Sequence, residues 1–284
     1  MASMRGIKRR KESIQSTQQI TKAMKLVSTV KLQRSKTRAE QSKDYFQCMY
    51  STVKSMLAKV GEVNHPYLQP AKTDKKGIIT ITSNRGLAGG YNSNIIKLVT
   101  NGEFKKEDVK LFTIGKKGRD TLSRKGYEVV KDYSDFIEDP MYVEAMQVSR
   151  DVLKAYTDGE IGEIYLAYTS FKNTVSHIPT LIKLLPFEGV EDDNQGQSDA
   201  MMNFEMEEEE ALELIIPKYV TSLIYGGMVE AVASENGARM QAMDSATSNA
   251  EEMIGKLSLQ YNRARQGSIT QELTEIIAGA QAIS

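Results

Sequence analysis

The chain has 284 residues, of which 40% are hydrophobic and 26% charged, and its basic and acidic side chains balance to a formal net charge of zero. That length allows one domain or two. Cys48 is the only cysteine, which excludes an internal disulfide and makes a reducing compartment the simpler expectation. No apolar run approaches the roughly 18 residues that span a bilayer, so we expect a soluble or peripheral protein.

The zero net charge hides two regions of opposite sign. Residues 5–43 carry twelve basic side chains against only Glu12 and Glu40. Between Lys183 and Lys218 there is no base at all, whereas acidic residues crowd the stretch 188–213. The two regions therefore present opposite electrostatic fields, which favours different partners for each.

The first 64 residues contain no proline and are rich in good helix formers, which predicts a single helix of some fifty residues. Its apolar positions are sparse and partly out of phase, so we expect one side to pack and the others to face polar surroundings. These positions are Ile7, Ile14, Ile20, Met24, Val27 and Val30.

Alternating strand and helix patterns follow a proline-containing linker, His65–Pro70. The predicted strands are Gly77–Thr82, Val109–Ile114, Tyr127–Lys131, Glu163–Thr169 and Thr174–Leu185, and the helices after the second and third are Lys116–Lys125 and Met141–Thr157. This order predicts a small, mainly parallel sheet covered by helices over residues 73–190. A glycine-rich turn and a further helix follow the first strand. The glycine spacing fits neither a dinucleotide fingerprint nor a P-loop, and a tight βα turn is the favoured interpretation.

The C-terminal stretch shows apolar and small residues at alternating steps of four and three, as in a coiled-coil seam. The seam is Asn236, Met240, Met243, Thr247, Ala250, Ile254, Leu257, Tyr261 and Ala264. Small and polar members bury little apolar area, so this coil is weaker than a leucine zipper. The pattern then slips a register to a more apolar tip at Ile269, Leu273, Ile276, Ile277 and Ala280.

Two proline-free arms at the termini predict an antiparallel helix pair with the middle of the chain inserted at one end. We therefore predict three parts: 1–64, an N-terminal coiled-coil helix; 73–190, the α/β domain; and 207–284, a C-terminal coiled-coil helix. The fold class is α+β or α/β, a long antiparallel coiled coil of the two terminal helices with an inserted Rossmann-like α/β domain. A simple dimerisation coil is the alternative.

The sequence offers little for catalysis. His65 and His177 are the only histidines, and neither has a partner nearby in sequence for a metal or a catalytic triad. The acidic run Glu207–Glu210 points around a helix axis rather than at one centre, which favours a solvated or partner-facing surface. We predict no catalytic residue, no cofactor and no metal.

Three motifs resemble the gamma subunit of the rotary F-type ATP synthases, of bacterial type. They are residues 20–28 (ITKAMKLVS), residues 83–90 (SNRGLAGG) and residues 261–273 (YNRARQGSITQEL). The resemblance covers the whole chain in order. It implies a central rotor shaft that couples ion flow through the membrane rotor to ATP synthesis and hydrolysis at the alpha and beta subunits.

The resemblance also implies contact residues. Lys22, Met24 and Lys25 resemble the segment that faces the lower part of the beta subunits, although a core methionine is the alternative for Met24. The other residues carried over are the middle-coil pair Glu235 and Arg239, the catch-loop contacts Arg265, Gln266, Thr270 and Glu272, and Glu205 facing the c-ring.

The implied partners are the alpha and beta subunits, the epsilon subunit and the c-ring, with no nucleic acid. A basic helix on a coiled coil also suits phosphate binding, but aromatic residues are not interleaved with the bases, so a single-strand stacking surface is not indicated. A nucleotide-binding enzyme, suggested by the glycine-rich turn, is the other alternative. The helical pattern runs through the N-terminus without a processing-site break, which does not favour a transit peptide. The resemblance then implies a peripheral membrane protein on the cytoplasmic face of a bacterial membrane.

Overall fold

A computed structural model describes residues 4–59, 65, 67, 68, 73–102, 104–186 and 208–283. Its elements in chain order are α1 (Met4–Lys59), β1 (Lys76–Ile81), α2 (Tyr91–Thr100), β2 (Val109–Ile114), α3 (Lys116–Arg124), β3 (Glu128–Asp132), α4 (Tyr142–Thr157), β4 (Glu163–Phe171), β5 (His177–Leu185) and α5 (Glu208–Ile283). The predicted fold class, long terminal helices with an α/β part between them, is confirmed.

The chain divides into two compact units. The helix-pair unit comprises Met1–Ser28 and Arg239–Ser284, and the α/β unit comprises Thr29–Ala238. The domain limits predicted from the sequence follow elements rather than these units, and they stay a prediction.

The α/β unit is built on a five-stranded sheet in the order β3-β2-β1-β4-β5. The first four strands are parallel and β5 runs antiparallel to β4, which confirms the mainly parallel sheet. The strand ends agree with the sequence prediction to within about three residues. The largest difference is at β5, because residues 172–176 form the hairpin turn rather than the start of the strand.

Alternate residues of the central strands face two separate hydrophobic clusters. Ile79 and Ile81 of β1 face one cluster together with Phe112 of β2, residues of α4 and the first part of α5. Ile78 and Leu111 face the other cluster, where α2 and α3 cover the sheet. Because both faces are covered, the strands read as continuous apolar runs, as buried parallel strands do.

Helix α5 approaches the sheet closely at Gly227. A Cβ atom added to Gly227 would lie 3.0 Å from Leu166 Cδ2 and 3.4 Å from Ile81 Cδ1, so a larger residue would push the helix away. The helix also contains Pro217, which removes one main-chain hydrogen bond and costs roughly 3 kcal/mol in a helix interior. Burial of Ile216 and Val220 on either side offsets that cost.

Candidate functional site

In the helix-pair unit, α1 and α5 run antiparallel and exchange three side-chain bonds. Gln18 Nε2 donates to Glu251 Oε1 (2.9 Å), and Lys25 Nζ donates to Asp244 Oδ1 (2.5 Å). Between them, the hydroxyl oxygens of Thr21 and Thr247 are hydrogen-bonded at 2.8 Å. The residue numbers rise along α1 as they fall along α5, which fixes the antiparallel direction.

The α5 seam predicted from the sequence is confirmed within this unit. Every predicted position from Met240 to Ala264 is buried or half-buried, and Met243, Ala250 and Leu257 are the most deeply enclosed. Most of the positions outside the seam beyond Ala250 are exposed. The alternation of four and three residues therefore identified the contact face of α5 correctly.

The α1 side of the seam differs from the prediction. Ile7 and Ile14 do face the pair, but Ile20 and Val27 are 57% and 58% exposed. The intervening seam positions are polar instead: Lys11, Gln18, Thr21, Lys25 and Ser28. Polar side chains are tolerated there because several of them form hydrogen bonds to α5. A sequence pattern based on apolar residues does not detect such polar pairs.

These polar pairs hold the two helices close without much apolar burial. The Thr21–Thr247 bond is partly buried, and a bond of this kind contributes about 0.5–1.5 kcal/mol net. The Lys25–Asp244 ion pair is largely exposed, at 39% and 58% of the two side chains, so it contributes about 1 kcal/mol at most. The seam thus sets the spacing and direction of the helices more than it adds stability.

The first group of predicted contact residues is divided between the outside and the seam. Lys22 is exposed and Met24 is half-buried, whereas Lys25 turns toward Asp244. The structure adds exposed apolar side chains that were not proposed as contacts, among them Ile20 and Val27. These two are seven residues apart and so lie on one face, a spacing that was visible in the sequence but was read as part of the seam.

The middle-coil pair, Glu235 and Arg239, lies one turn apart on α5, and both side chains are half-buried. Side chains four residues apart on a helix are neighbours, so the spacing suits an ion pair. Both residues take part in further interactions within the structure. Their proposed role against the beta subunit stays a prediction.

The last part of α5 carries the catch-loop candidates. Arg265, Gln266, Thr270 and Glu272 are all exposed. The cross-helix pairs run antiparallel and bring Ile7 opposite Tyr261 and Met4, the first residue of α1, opposite about Ala264, so α5 beyond Ala264 has no α1 residue opposite it among those the structure describes. The apolar tip is consequently uncovered, with Ile269, Leu273, Ile276 and Ile277 between 49% and 68% exposed.

Glu205, the predicted c-ring contact, lies outside the described residues. The structure describes α5 from Glu208 onward.

The glycine-rich turn follows β1, the central strand of the sheet, and is hydrogen-bonded to neighbouring elements of the α/β unit. Asn84 Nδ2 donates to the Ser134 carbonyl (2.8 Å), and Asn84 Oδ1 accepts the first amide of α3, from Lys116 (3.0 Å). Asn92 Oδ1 accepts the Ser83 amide at 2.9 Å. Leu87 and Gly89 adopt positive φ values of 64° and 54°. These bonds suit the βα-turn interpretation, because the asparagines tie the turn to neighbouring loops.

The described residues hold no group of three or more His, Cys, Asp or Glu side chains placed to bind a metal ion. None of their helices combines the length and apolar character that crossing a bilayer requires.

The chain is similar to known proteins along nearly its whole length. Residues 3–283 match the family model described as ATP synthase. The chain is 63% identical over 291 residues to the "ATP synthase gamma chain" of Lachnoclostridium phytofermentans, with 100% of both chains covered. It is 40% identical over 299 residues to the "ATP synthase gamma chain, sodium ion specific" of Acetobacterium woodii, with 99% of each covered.

Two solved structures are similar in fold. One is a chain of the Euglena gracilis mitochondrial ATP synthase, with a TM-score of 0.72 and 19% identity over 99% of this chain and 94% of that one. The other belongs to the central stalk and c-ring of the Tetrahymena thermophila mitochondrial enzyme, with a TM-score of 0.61 and 25% identity over 80% of this chain and 99% of that one.

Proposed function

Since this chain belongs to the gamma-chain family of ATP synthases, we propose that it is the central rotor shaft of an F-type enzyme. In that role it couples ion flow through the membrane rotor to ATP synthesis and hydrolysis in the catalytic F1 part. The shaft carries no catalytic centre of its own, and ATPase activity belongs to the assembled complex. Its rotation controls both ATPase activity and ion flow.

The antiparallel helix pair is the observation that carries this function. A shaft needs two helices fixed to each other and an outer surface that does not adhere permanently to one partner. The partly buried Thr21–Thr247 bond and the small seam residues supply close contact between the helices. Most side chains outside the seam are exposed, and they are mainly polar. A rotor must bias distant catalytic sites in turn, which is coupling between sites in the thermodynamic sense.

We propose two contact regions for the alpha and beta subunits. The lower one contains Lys22 and Met24 together with the exposed Ile20 and Val27, facing the beta subunits. The upper one is the uncovered end of α5, where Arg265 and Gln266 meet acidic catch loops. Arginine suits a carboxylate partner, because its planar guanidinium donates two parallel hydrogen bonds.

Thr270 and Glu272 continue the upper region around the same exposed helix. Thr270 lies one turn after Gln266, and Glu272 lies two turns after Arg265. Each therefore lies on the same face of the helix as the earlier residue. Lys25 and the Glu235–Arg239 pair have a different role in this proposal. They keep α1 and the middle of α5 in the arrangement that the beta subunits contact.

The acidic stretch 188–213 is proposed to bind the c-ring and the epsilon subunit. Glu205 and the acidic stretch around it suit the polar and often basic loops of a c-ring, because complementary charge favours docking and register. The epsilon subunit binds this acidic region and the α/β unit. These contacts hold the chain at the membrane as a peripheral protein on its cytoplasmic face. Whether protons or sodium ions drive the enzyme is decided by other subunits.

Co-purification tests the whole proposal. The chain is expressed with an affinity tag in its own host, and everything that binds it is identified and quantified. We expect alpha, beta and epsilon subunits in a fixed ratio, with ATPase activity in the complex and none in the isolated chain. A lone homodimer, or a complex with nucleic acid, would contradict the rotor function. ATP binding by the isolated chain in equilibrium dialysis would instead support an enzyme.

A further inference from the structure

The tip of the β4–β5 hairpin lies against one face of α5 within the α/β unit. The backbone N–H of Phe171 donates to Glu230 Oε2 (3.1 Å), and the Ser234 hydroxyl donates to the Thr169 carbonyl (3.2 Å). Gly237 is the third residue of α5 that lies against the hairpin. Residues 230, 234 and 237 are separated by four and three positions, so they lie on the same side of the helix.

Gly237 leaves only enough room for the ring of His177. A Cβ atom added to Gly237 would lie 2.5 Å from His177 Nε2 and 3.2 Å from its Cε1. On the other side, the imidazole packs against Phe171 with ring centroids 6.1 Å apart, and the two residues are paired in the β4–β5 ladder. The ring is therefore enclosed between the hairpin and the backbone of α5.

His177 Nε2 is buried and has no hydrogen-bond partner in the structure. A neutral imidazole has one N–H, whereas an imidazolium has two. Protonation would thus place a charged donor where no acceptor is available, and an unpaired buried charge is strongly unfavourable. Burial accordingly lowers the pKa of His177 below its usual value, because it disfavours the charged imidazolium.

The charged and titratable groups on the surrounding elements do not offset that cost. The Glu230 carboxylate of α5 already accepts the Phe171 amide, and Glu235 lies further along the same helix. Lys172 of the hairpin turn is exposed and supplies no acceptor. Tyr168 of β4 is uncharged at neutral pH like any tyrosine, and burial and then Glu230 raise its pKa further, to about 12.

We propose that this contact is a proton-sensitive clasp, in which neutral His177 holds the hairpin tip on α5 and protonated His177 releases it. The clasped state binds fewer protons than the open state. Its stability is therefore complete above the ordinary histidine pKa of about 6.5 and declines as the pH falls below that value. The clasp is a property of the chain itself, so its test is independent of whether the chain turns in an ATP synthase.

Amide hydrogen exchange on the purified full-length chain tests the clasp. The amide of Phe171, which donates to Glu230 of α5, is followed from pH 7.5 to 5.5, after correction for the intrinsic exchange rate. In the wild type we expect its protection to fall by up to about tenfold, the limit for one group titrating over one pH unit below 6.5. Ordinary carboxylates, with pKa values of about 4, stay ionised in this window.

His177→Gln supplies the matched comparison, because glutamine is neutral at every pH and of similar reach. Its hairpin protection is expected to stay constant over the same range. Equal pH profiles for the wild type and His177→Gln, including two flat ones, would overturn the proposal. Amides of β1 in the sheet report global unfolding and are expected to be unaffected in both proteins.

Gly237→Ala tests the geometry without titration. The added methyl group collides with His177 Nε2, so the Phe171 amide is expected to exchange fast even at pH 7.5. Gly255→Ala is the control on the same helix, since a Cβ there meets no atom within 4 Å. Wild-type hairpin protection in Gly237→Ala would show that this contact does not fasten the tip. If Gly237→Ala unfolds the sheet as well, the His177→Gln comparison alone decides.

Discussion

Leu166 in the sheet and Leu257 in the helix pair are both buried leucines with very different surroundings. Leu166 is fully enclosed in the cluster between β1, β4 and α5. Leu257 occupies a seam most of whose flanking residues are exposed and whose partner positions on α1 include lysine. The α/β unit is thus held by apolar burial on both sheet faces, and the helix pair by a narrow line of small and polar contacts. A unit of the first kind resists deformation, whereas one of the second kind keeps its outer surface free for partners.

Removing the uncovered end of α5 should give the largest difference between the two units, because it should impair coupling without changing the stability of the α/β unit. Truncation after Tyr261 deletes Arg265, Gln266, Thr270, Glu272 and the apolar tip, all of which belong to the helix-pair unit. In a reconstituted complex we expect ATP hydrolysis and torque to fall severely, while the thermal unfolding of the α/β unit is unchanged. Unaltered coupling, measured as ions pumped per ATP hydrolysed, would refute the roles assigned to these residues.

The leucine comparison can be tested directly by truncating each side chain. Leu166→Ala should lower the free energy of unfolding by about 2–5 kcal/mol, because it leaves a cavity in a rigid core. Leu257→Ala should have a smaller effect, because solvent and the flexible neighbours can fill the space. Chemical denaturation of both variants gives the values, and an equal loss would mean that the helix pair is packed like the core.

The threonine pair tests how far hydrogen bonds set the helix pairing. Thr21→Val and Thr247→Val each leave one hydroxyl without its partner across the seam, and each should destabilise the helix pair by about 1 kcal/mol. The double variant replaces both partners and should be less destabilised than the sum of the two. Additive effects in this double-mutant cycle, followed by exchange at neighbouring amides, would show that the hydroxyls do not interact.

Acid should weaken the α/β unit through Asp132. Burial alone would raise the pKa of this carboxyl, but hydrogen bonds from Ser134, Arg119 and Thr113 together hold it below its usual value. Its contribution is therefore present above the unfolded pKa of about 4 and is lost as the pH falls through the lower, folded value. Asp132→Asn should be slightly less stable at pH 7 and show a flatter stability curve below pH 4. Identical curves in urea titrations would exclude this role.

Much of the fold was readable from the sequence for physical reasons. The strands were found because two covered sheet faces demand continuous β-branched runs, as in residues 77–82. The α5 seam was found because its small residues keep a heptad rhythm even where they are not apolar. Helix α1 was harder: Thr21 and Lys25 belong to the seam only because Thr247 and Asp244 stand opposite, and such pairing depends on the second helix.

The candidate site was less predictable than the fold. In the sequence, an exposed apolar residue such as Ile20 cannot be distinguished from a core residue, because the sequence does not show which face of a helix is covered. The contact roles themselves came from family motifs rather than from local chemistry. His177 shows the same limit, because its enclosure arises from Gly237, sixty positions further along the chain.

The polar seam between α1 and α5 has a consequence for how the helix pair responds to heat and cold. The heat capacity change of unfolding grows with the apolar area that becomes exposed and is reduced by exposed polar area. A seam in which Thr21, Ser28, Thr247 and Ala250 stand among the larger apolar residues exposes less apolar area per residue than the sheet clusters do, so its heat capacity increment per residue is smaller. The stability curve of the helix pair should accordingly be shallow, with the helices associating almost equally well over a broad span of growth temperatures.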